Sequence, residues 1–185
     1  MKQDIRLEET KAAAQAVIET PRMVLRPMRA SDAGLMSHYA ADKRVAEMTT
    51  SIPHPLPPGA TEAFIANATN ADEGSFAWVM DATPFGGSEV LGVISLNQMD
   101  RGQSEIYYWV APALWNTGFA SEAVHAMVAA NPLGNSTIFG SVFQDNPGSA
   151  RVLTNAGFEY LGDAEAFSVA RNAKVATWTY LKRLG

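Results

Sequence analysis

The sequence predicts an α/β domain, and three stretches carry the prediction. From Glu105 to Val110 the aromatic and β-branched run Glu-Ile-Tyr-Tyr-Trp-Val has the composition of a strand, and Pro112 stops it. The small-residue turn Asn116-Thr117-Gly118 then opens into a helix in which Ala120, Ala123, Val124, Met127 and Val128 recur at the 3.6-residue period until Asn131-Pro132. Downstream, Asn146-Pro147-Gly148-Ser149 begins a second helix, with Asn at the N-cap, Pro at the first helical position and Gly157 at the stop. Upstream, 75–81 and 90–96 form an antiparallel strand pair joined through Pro84-Phe85-Gly86-Gly87-Ser88.

The remaining elements follow in chain order. Residues 1–20 are a polar, helix-prone N-terminal extension, and the domain proper occupies 21–185. Residues 23–26 form the first strand, and Ser31-Asp32 starts a helix over 33–41. The proline-rich stretch 49–59 is an irregular loop in which Pro55-Leu56-Pro57-Pro58 fits either a polyproline ligand or a stiff acceptor-site loop. A helix over 61–70 precedes the strand pair. A strand at 137–143 precedes the Asn146 helix, and two strands over 158–169 and 175–181 close the chain.

Composition bounds the class. The chain has 185 residues, 47% hydrophobic and 18% charged, enough for one domain with one substantial core. It contains no cysteine, which excludes disulfides, thiolate metal sites and a cysteine nucleophile. No run approaches the roughly 18 apolar residues of a membrane span, and 11–18 is too short and polar for a signal-peptide core, so a cytoplasmic protein is expected. A net charge of −5 gives no general attraction to nucleic acid or anionic lipid, and neither partner is expected. His38, His54 and His125 are scattered, and no metal is expected. There is no Walker loop, dinucleotide fingerprint or nucleophile elbow.

The turn around Gly118 has a chemistry of its own. It exposes the first unpaired N–H groups of its helix at the positive end of the helix dipole, which makes it a candidate phosphate cradle. The alternative is an ordinary strand, turn and helix of an α/β core.

Together these segments resemble the GNAT superfamily of acyl-CoA-dependent N-acetyltransferases, in its RimJ/RimL-like branch. That branch shows E-I-x-Y-W-L, then P-x-x-W, then G-x-G-[YF]-[AG]-[ST]-E-A, and later N-x-x-S-x-R-V-L-x-x-x-G-F. Here they are met by Glu105 to Val110, Pro112 and Trp115, Asn116 to Ala123, and Asn146 to Phe158. The resemblance spans the C-terminal half; 20–100 share only the pattern of elements.

The resemblance implies a mixed, mostly antiparallel sheet flanked by helices, whose fourth and fifth strands splay apart to admit acyl-CoA. It implies an N-acetyltransferase that passes the acetyl group of acetyl-CoA to a primary amine, a protein N-terminus or a small amine, by direct attack in a ternary complex. A homodimer is left open. Backbone groups of Asn116, Thr117, Gly118, Phe119, Ala120 and Ser121 would hold the pyrophosphate, and those of Trp109 and Val110 would pair with the pantetheine arm. Glu105 is the candidate general base, with a solvated strand residue or an acceptor-binding carboxylate as its alternatives. Asn146 would face the pantetheine as well as cap its helix, and Ser149 would protonate the departing sulfur.

Two departures stand out. The family often has Lys or Arg immediately before the central glycine, where this chain has Thr117. Many members carry a tyrosine seven residues after the position of Asn146, where this chain has Leu153. Both keep a second reading open, a non-catalytic acyl-CoA-binding protein or sensor. A polycationic acceptor would want several carboxylates around the cleft, for which Glu47, Glu62, Asp72 and Glu73 are available.

Overall fold

Buried β-branched, aromatic and methionine side chains on both faces of one sheet organise the chain. A computed structural model describes residues 15–69 and 74–185. Its strands are β1 (Ile18–Glu19), β2 (Val24–Pro27), β3 (Ser75–Asp81), β4 (Gly92–Met99), β5 (Gln103–Val110), β6 (Thr137–Phe143), β7 (Glu159–Ser168) and β8 (Ala173–Arg183). Its helices are α1 (Ala33–Ala40), α2 (Lys43–Ala46), α3 (Ala60–Thr69), α4 (Phe119–Ala130) and α5 (Pro147–Asn155). The strands lie in the order β1-β2-β3-β4-β5-β6-β8-β7, and every neighbouring pair is antiparallel except β5 and β6. This is the mixed, mostly antiparallel, helix-flanked sheet that the family resemblance implies.

Two apolar layers cover the sheet. On one face Trp78, Met80, Ile94 and Ile106 pack with Val124 and Met127 of α4 and Leu153 of α5. On the other, Ala77, Val79 and Val93 pack with Met36 of α1 and Ile65 of α3. A strand covered on both sides has no polar face, which is why β3 is buried from Phe76 to Asp81 and shows no alternation. At its end Asp81 joins a buried network: Arg26 bonds Asp81 at 2.6 Å and Asp32 at 2.7 and 2.9 Å, tying β2 to the start of α1.

Element boundaries fall within a few residues of those predicted, with two additions. Ile18–Glu19, within the stretch assigned to an extension, pairs with Val24 and Leu25, and the Gln15 amide donates to the Ala77 carbonyl. The four-residue α2 was also not predicted. The helix-prone segment before Gln15 lies outside the described residues.

The decisive feature is where β5 and β6 part. Their parallel register runs from Gln103↔Thr137 to Ile106↔Gly140 and stops, while β5 continues beside β4 to Gly92↔Val110 and β6 continues beside β8 to Phe143↔Thr177. Counted from the strand at 23–26, these are the fourth and fifth strands. Helix α5 sits close to the parting point: a Cβ on Gly140 would lie 2.8 Å from Leu153 Cδ1. Gly92, opposite Val110, is more constrained, since a Cβ there would collide with the Trp109 carbonyl and come within 2.9 Å of Val110 Cα.

These two glycines predict different costs. Gly92→Ala must push backbone apart and should destabilise by about 3 kcal/mol, whereas Gly140→Ala displaces only a side-chain methyl and should cost about 1 kcal/mol. Urea unfolding of both variants checks this; equal losses would mean that β4 and β5 are not so closely apposed.

Candidate active site

The parting strands open a cleft of about 630 Å³. Backbone bonding alternates along an antiparallel ladder, and the Ala111 N–H donates to Leu91 O, so Trp109 and Tyr107 direct their N–H and C=O toward β4. Tyr108 and Val110 therefore direct theirs to the open side. The Val110 carbonyl there accepts the Trp115 indole N–H at 2.8 Å, and the N–H groups of Tyr108 and Val110 have no strand partner among the described residues. The sequence reading chose Trp109 and Val110; the register gives the open edge to Val110 and Tyr108 and turns the Trp109 backbone away.

The cradle lies at the end of this edge. Asn116 has φ 62° and Gly118 φ 86°, so two left-handed residues flank Thr117 in the turn that leads into α4. Gly118 is the N-cap of α4, and its carbonyl accepts from Glu122 N. The N–H groups of Phe119, Ala120 and Ser121 are thus the helix donors without an intrahelical acceptor. The Thr117 hydroxyl donates to Leu114 O, and the Trp115 indole anchors the loop to β5. Arg22, from the link between β1 and β2, donates to Thr117 O at 3.1 Å and to Glu122 Oε1 at 2.8 Å, with its guanidinium 4.0 Å over the Phe119 ring. On the opposite flank Arg44 sits 5.7 Å over the Trp115 ring and is held through Nε and Nη2 by Asp42.

Three groups of side chains enter the cleft. Half-buried Glu105 stands one residue before the parting point, with Tyr107 two residues on along the same strand face. Burial, together with the neighbouring Glu105 charge, pushes the Tyr107 hydroxyl well above the usual tyrosine range and keeps it protonated. From α5, the Ser149 hydroxyl donates to Tyr108 Oη at 2.8 Å, and Tyr108 Oη donates back to the Ser149 carbonyl at 2.9 Å. Burial also drives the Tyr108 hydroxyl up, against the Ser149 bond that favours its ionised form. Asn146 caps α5, its Oδ1 accepting from Ser149 N at 3.3 Å. Leu153, on the same helix, is a core residue at 1% exposure.

Sequence reasoning missed Tyr108 and Glu165. Glu165 of β7 lines the cleft where β7 and β8 continue past the end of β6. No local signal marks either. Of the four carboxylates weighed for the acceptor, Glu47 pairs with Lys43 at 3.6 Å and Glu62 is exposed on α3; neither lines the cleft. Asp72 and Glu73 lie outside the described residues. The far rim is clasped: Val169 N donates to Thr50 O, and Arg171 bridges Glu47 O at 2.9 Å to Asp145 at 2.6 Å. Among the described residues no group of three His, Asp or Glu could hold a metal, and no helix is long and apolar enough to cross a membrane.

Comparisons with known proteins show the family. Residues 22–159 match the family model of the acetyltransferase (GNAT) domain, and the chain belongs to that family. It is 36% identical over 78 residues to YoaA of Bacillus subtilis (strain 168), an uncharacterized N-acetyltransferase; the match covers 40% of this chain and 44% of YoaA, less than half that relative's length. Among solved structures, RimL, a ribosomal L7/L12 α-N-protein acetyltransferase in complex with coenzyme A, superposes with a TM-score of 0.77 at 15% identity, covering 91% of this chain and 98% of its own. Spermidine N-acetyltransferase from Vibrio cholerae, in complex with CoA and spermine, gives 0.73 at 15% identity over 88% and 96%. At such identity these two show a shared fold.

The α5 contacts separate by mutation. Asn146→Ala should destabilise by about 1 kcal/mol through loss of the cap. Tyr108→Phe strips the Ser149 hydroxyl of its acceptor and should cost about 1–3 kcal/mol. Thermal unfolding of both tests this; a Tyr108→Phe protein as stable as the parent would mean that Ser149 re-pairs freely.

Proposed function

We propose that this chain is an N-acetyltransferase of the RimJ/RimL-like branch, transferring the acetyl group of acetyl-CoA to a primary amine by direct attack in a ternary complex. The observation that carries the reading is that the open β5 edge, the cradle before α4 and the Glu105 carboxylate share one strand and its exit. The N–H groups of Asn116 to Ser121 suit the pyrophosphate, because convergent backbone donors satisfy several oxygens at once. The Val110 and Tyr108 edge suits the pantetheine amides, in the manner of an added strand. An N–H of this edge aimed at the thioester oxygen would stabilise the developing oxyanion, typically worth about 3 kcal/mol.

The cosubstrate supplies an activated acyl group, and the chain's residues manage protons. Glu105 takes a proton from the incoming ammonium, directly or through a water. The amine nitrogen then attacks the thioester carbon, forming C–N as C–S breaks. As the C–S bond breaks, the acylated nitrogen sheds its second proton; Ser149 turns its hydroxyl from Tyr108 Oη to the departing sulfur and relays that proton to it, giving up its own and recovering the one from nitrogen, with Tyr108 positioning it. Thiolate is a tolerable leaving group near neutral pH, so this donation matters less than removal of the amine proton.

The acceptor side narrows the substrate. Among the described residues, Glu105 and Glu165 are the charged groups lining the cleft, with no Lys, Arg or His, and Met36, Met48, Ile52, Leu56 and Phe64 make it largely apolar. Such a site favours an amine bearing one positive charge and an apolar body over a polyamine. Leu153, buried where many relatives carry a tyrosine, favours the second reading, a non-catalytic acyl-CoA-binding protein. Turnover decides between the two.

Glu105→Gln should lower kcat about 100-fold at neutral pH, with acetyl-CoA affinity unchanged and the deficit shrinking as alkaline pH supplies free amine. Ser149→Ala should lower kcat more modestly, again at constant affinity. Coupled thiol-release assays with apolar peptide amines and spermidine measure both effects. Unchanged turnover in Glu105→Gln would leave that carboxylate a binding group, and no turnover with any amine would favour the acyl-CoA-binding reading.

A further inference from the structure

We propose that Arg22 completes the phosphate cradle, supplying in space the positive charge that Thr117 withholds in sequence. The inference rests on the reading of the cradle as the acetyl-CoA site and adds a residue to it from the start of the domain. Arg22 reaches across 95 residues to donate Nη1 to Thr117 O at 3.1 Å. A Cβ on Gly118 would lie 3.3 Å from Arg22 Nη2, so the guanidinium covers the side of the loop that glycine leaves bare. Nη2 makes no hydrogen bond among the described residues. Its two N–H groups are free for a ligand beside the unpaired helix donors.

The obvious objection is Glu122, whose carboxylate would repel a phosphate. Its orientation answers this. Oε1 accepts from Arg22 Nε at 2.8 Å, and Oε2 accepts from the Arg22 backbone N at 2.9 Å and from the Thr20 hydroxyl at 2.6 Å, so both oxygens are turned inward and filled. The side chains are 44% exposed for Arg22 and 13% for Glu122. The pair therefore presents its positive member outward. The Phe119 ring, its centroid 4.0 Å from the guanidinium carbon, holds the cation beside the first turn of α4. Glu122 and Phe119 orient the cation; the cation meets the ligand.

Isothermal titration with acetyl-CoA, at two ionic strengths, tests this. Arg22→Ala should weaken binding about tenfold and flatten its salt dependence, because one charge-assisted contact to phosphate is lost. Thr117→Lys added to Arg22→Ala should restore most of the affinity by returning the charge to its usual place in the family. Arg22→Lys separates charge from scaffolding: it keeps the cation and loses the bidentate hold on Glu122 and Thr117, so affinity should largely survive while melting temperature falls. Equal affinity in Arg22→Ala and the parent would overturn the proposal. So would an Arg22→Lys protein that binds as poorly as Arg22→Ala with no rescue by Thr117→Lys, since Arg22 would then be a structural staple. A parent protein that does not bind acetyl-CoA would overturn the functional reading as well.

Discussion

Everything specific about this fold depends on β5 and β6 pairing for four residues and no further. Parallel strands that stayed together to Val110 would satisfy the N–H groups of Tyr108 and Val110 within the sheet, and a buried backbone donor is almost never left without a partner. By parting at Ile106 and Gly140 the sheet leaves those donors along the cleft without a strand partner. Around the parting point α5 lies tight on Gly140, and Tyr108 fills the gap on that side with its hydroxyl tied to Ser149. The same arrangement brings α5, which carries Ser149 and Asn146, to the mouth of the cleft opposite Glu105.

The cradle is likewise a product of tertiary structure. Its backbone is set locally, by left-handed Asn116 and Gly118, but its electrostatics come from Thr20, Arg22 and Glu122, brought together where the link before β2 crosses the start of α4. A loop without a lysine or arginine of its own can thus still present a cation. Thr117, the residue that breaks the family pattern, uses its carbonyl to hold that cation in place.

Much of this was legible in the sequence, for identifiable reasons. The predicted strands and helices have clean periodicity or strong punctuation, such as Pro112, Asn146-Pro147 and Gly157, and the structure places them where those signals fall. Strand β1 and helix α2 are too short to carry a period. The choice between Trp109 and Tyr108 as the open-edge residue depends on the β4 register, which side-chain identity does not encode. Arg22 and Glu165 carry no local mark because each reaches its site through sheet topology. Tyr108 resembled any sheet aromatic until α5 was placed against it.

The central claim, that the unpaired β5 edge receives the cosubstrate, is tested most directly by residue-resolved amide hydrogen exchange with and without acetyl-CoA. The account predicts slowed exchange at the N–H groups of Val110 and Tyr108 and at Phe119 to Ser121. Trp109, already bonded to β4, should be unchanged. Protection confined to other elements, or protection of Trp109 without Val110 and Tyr108, would contradict it.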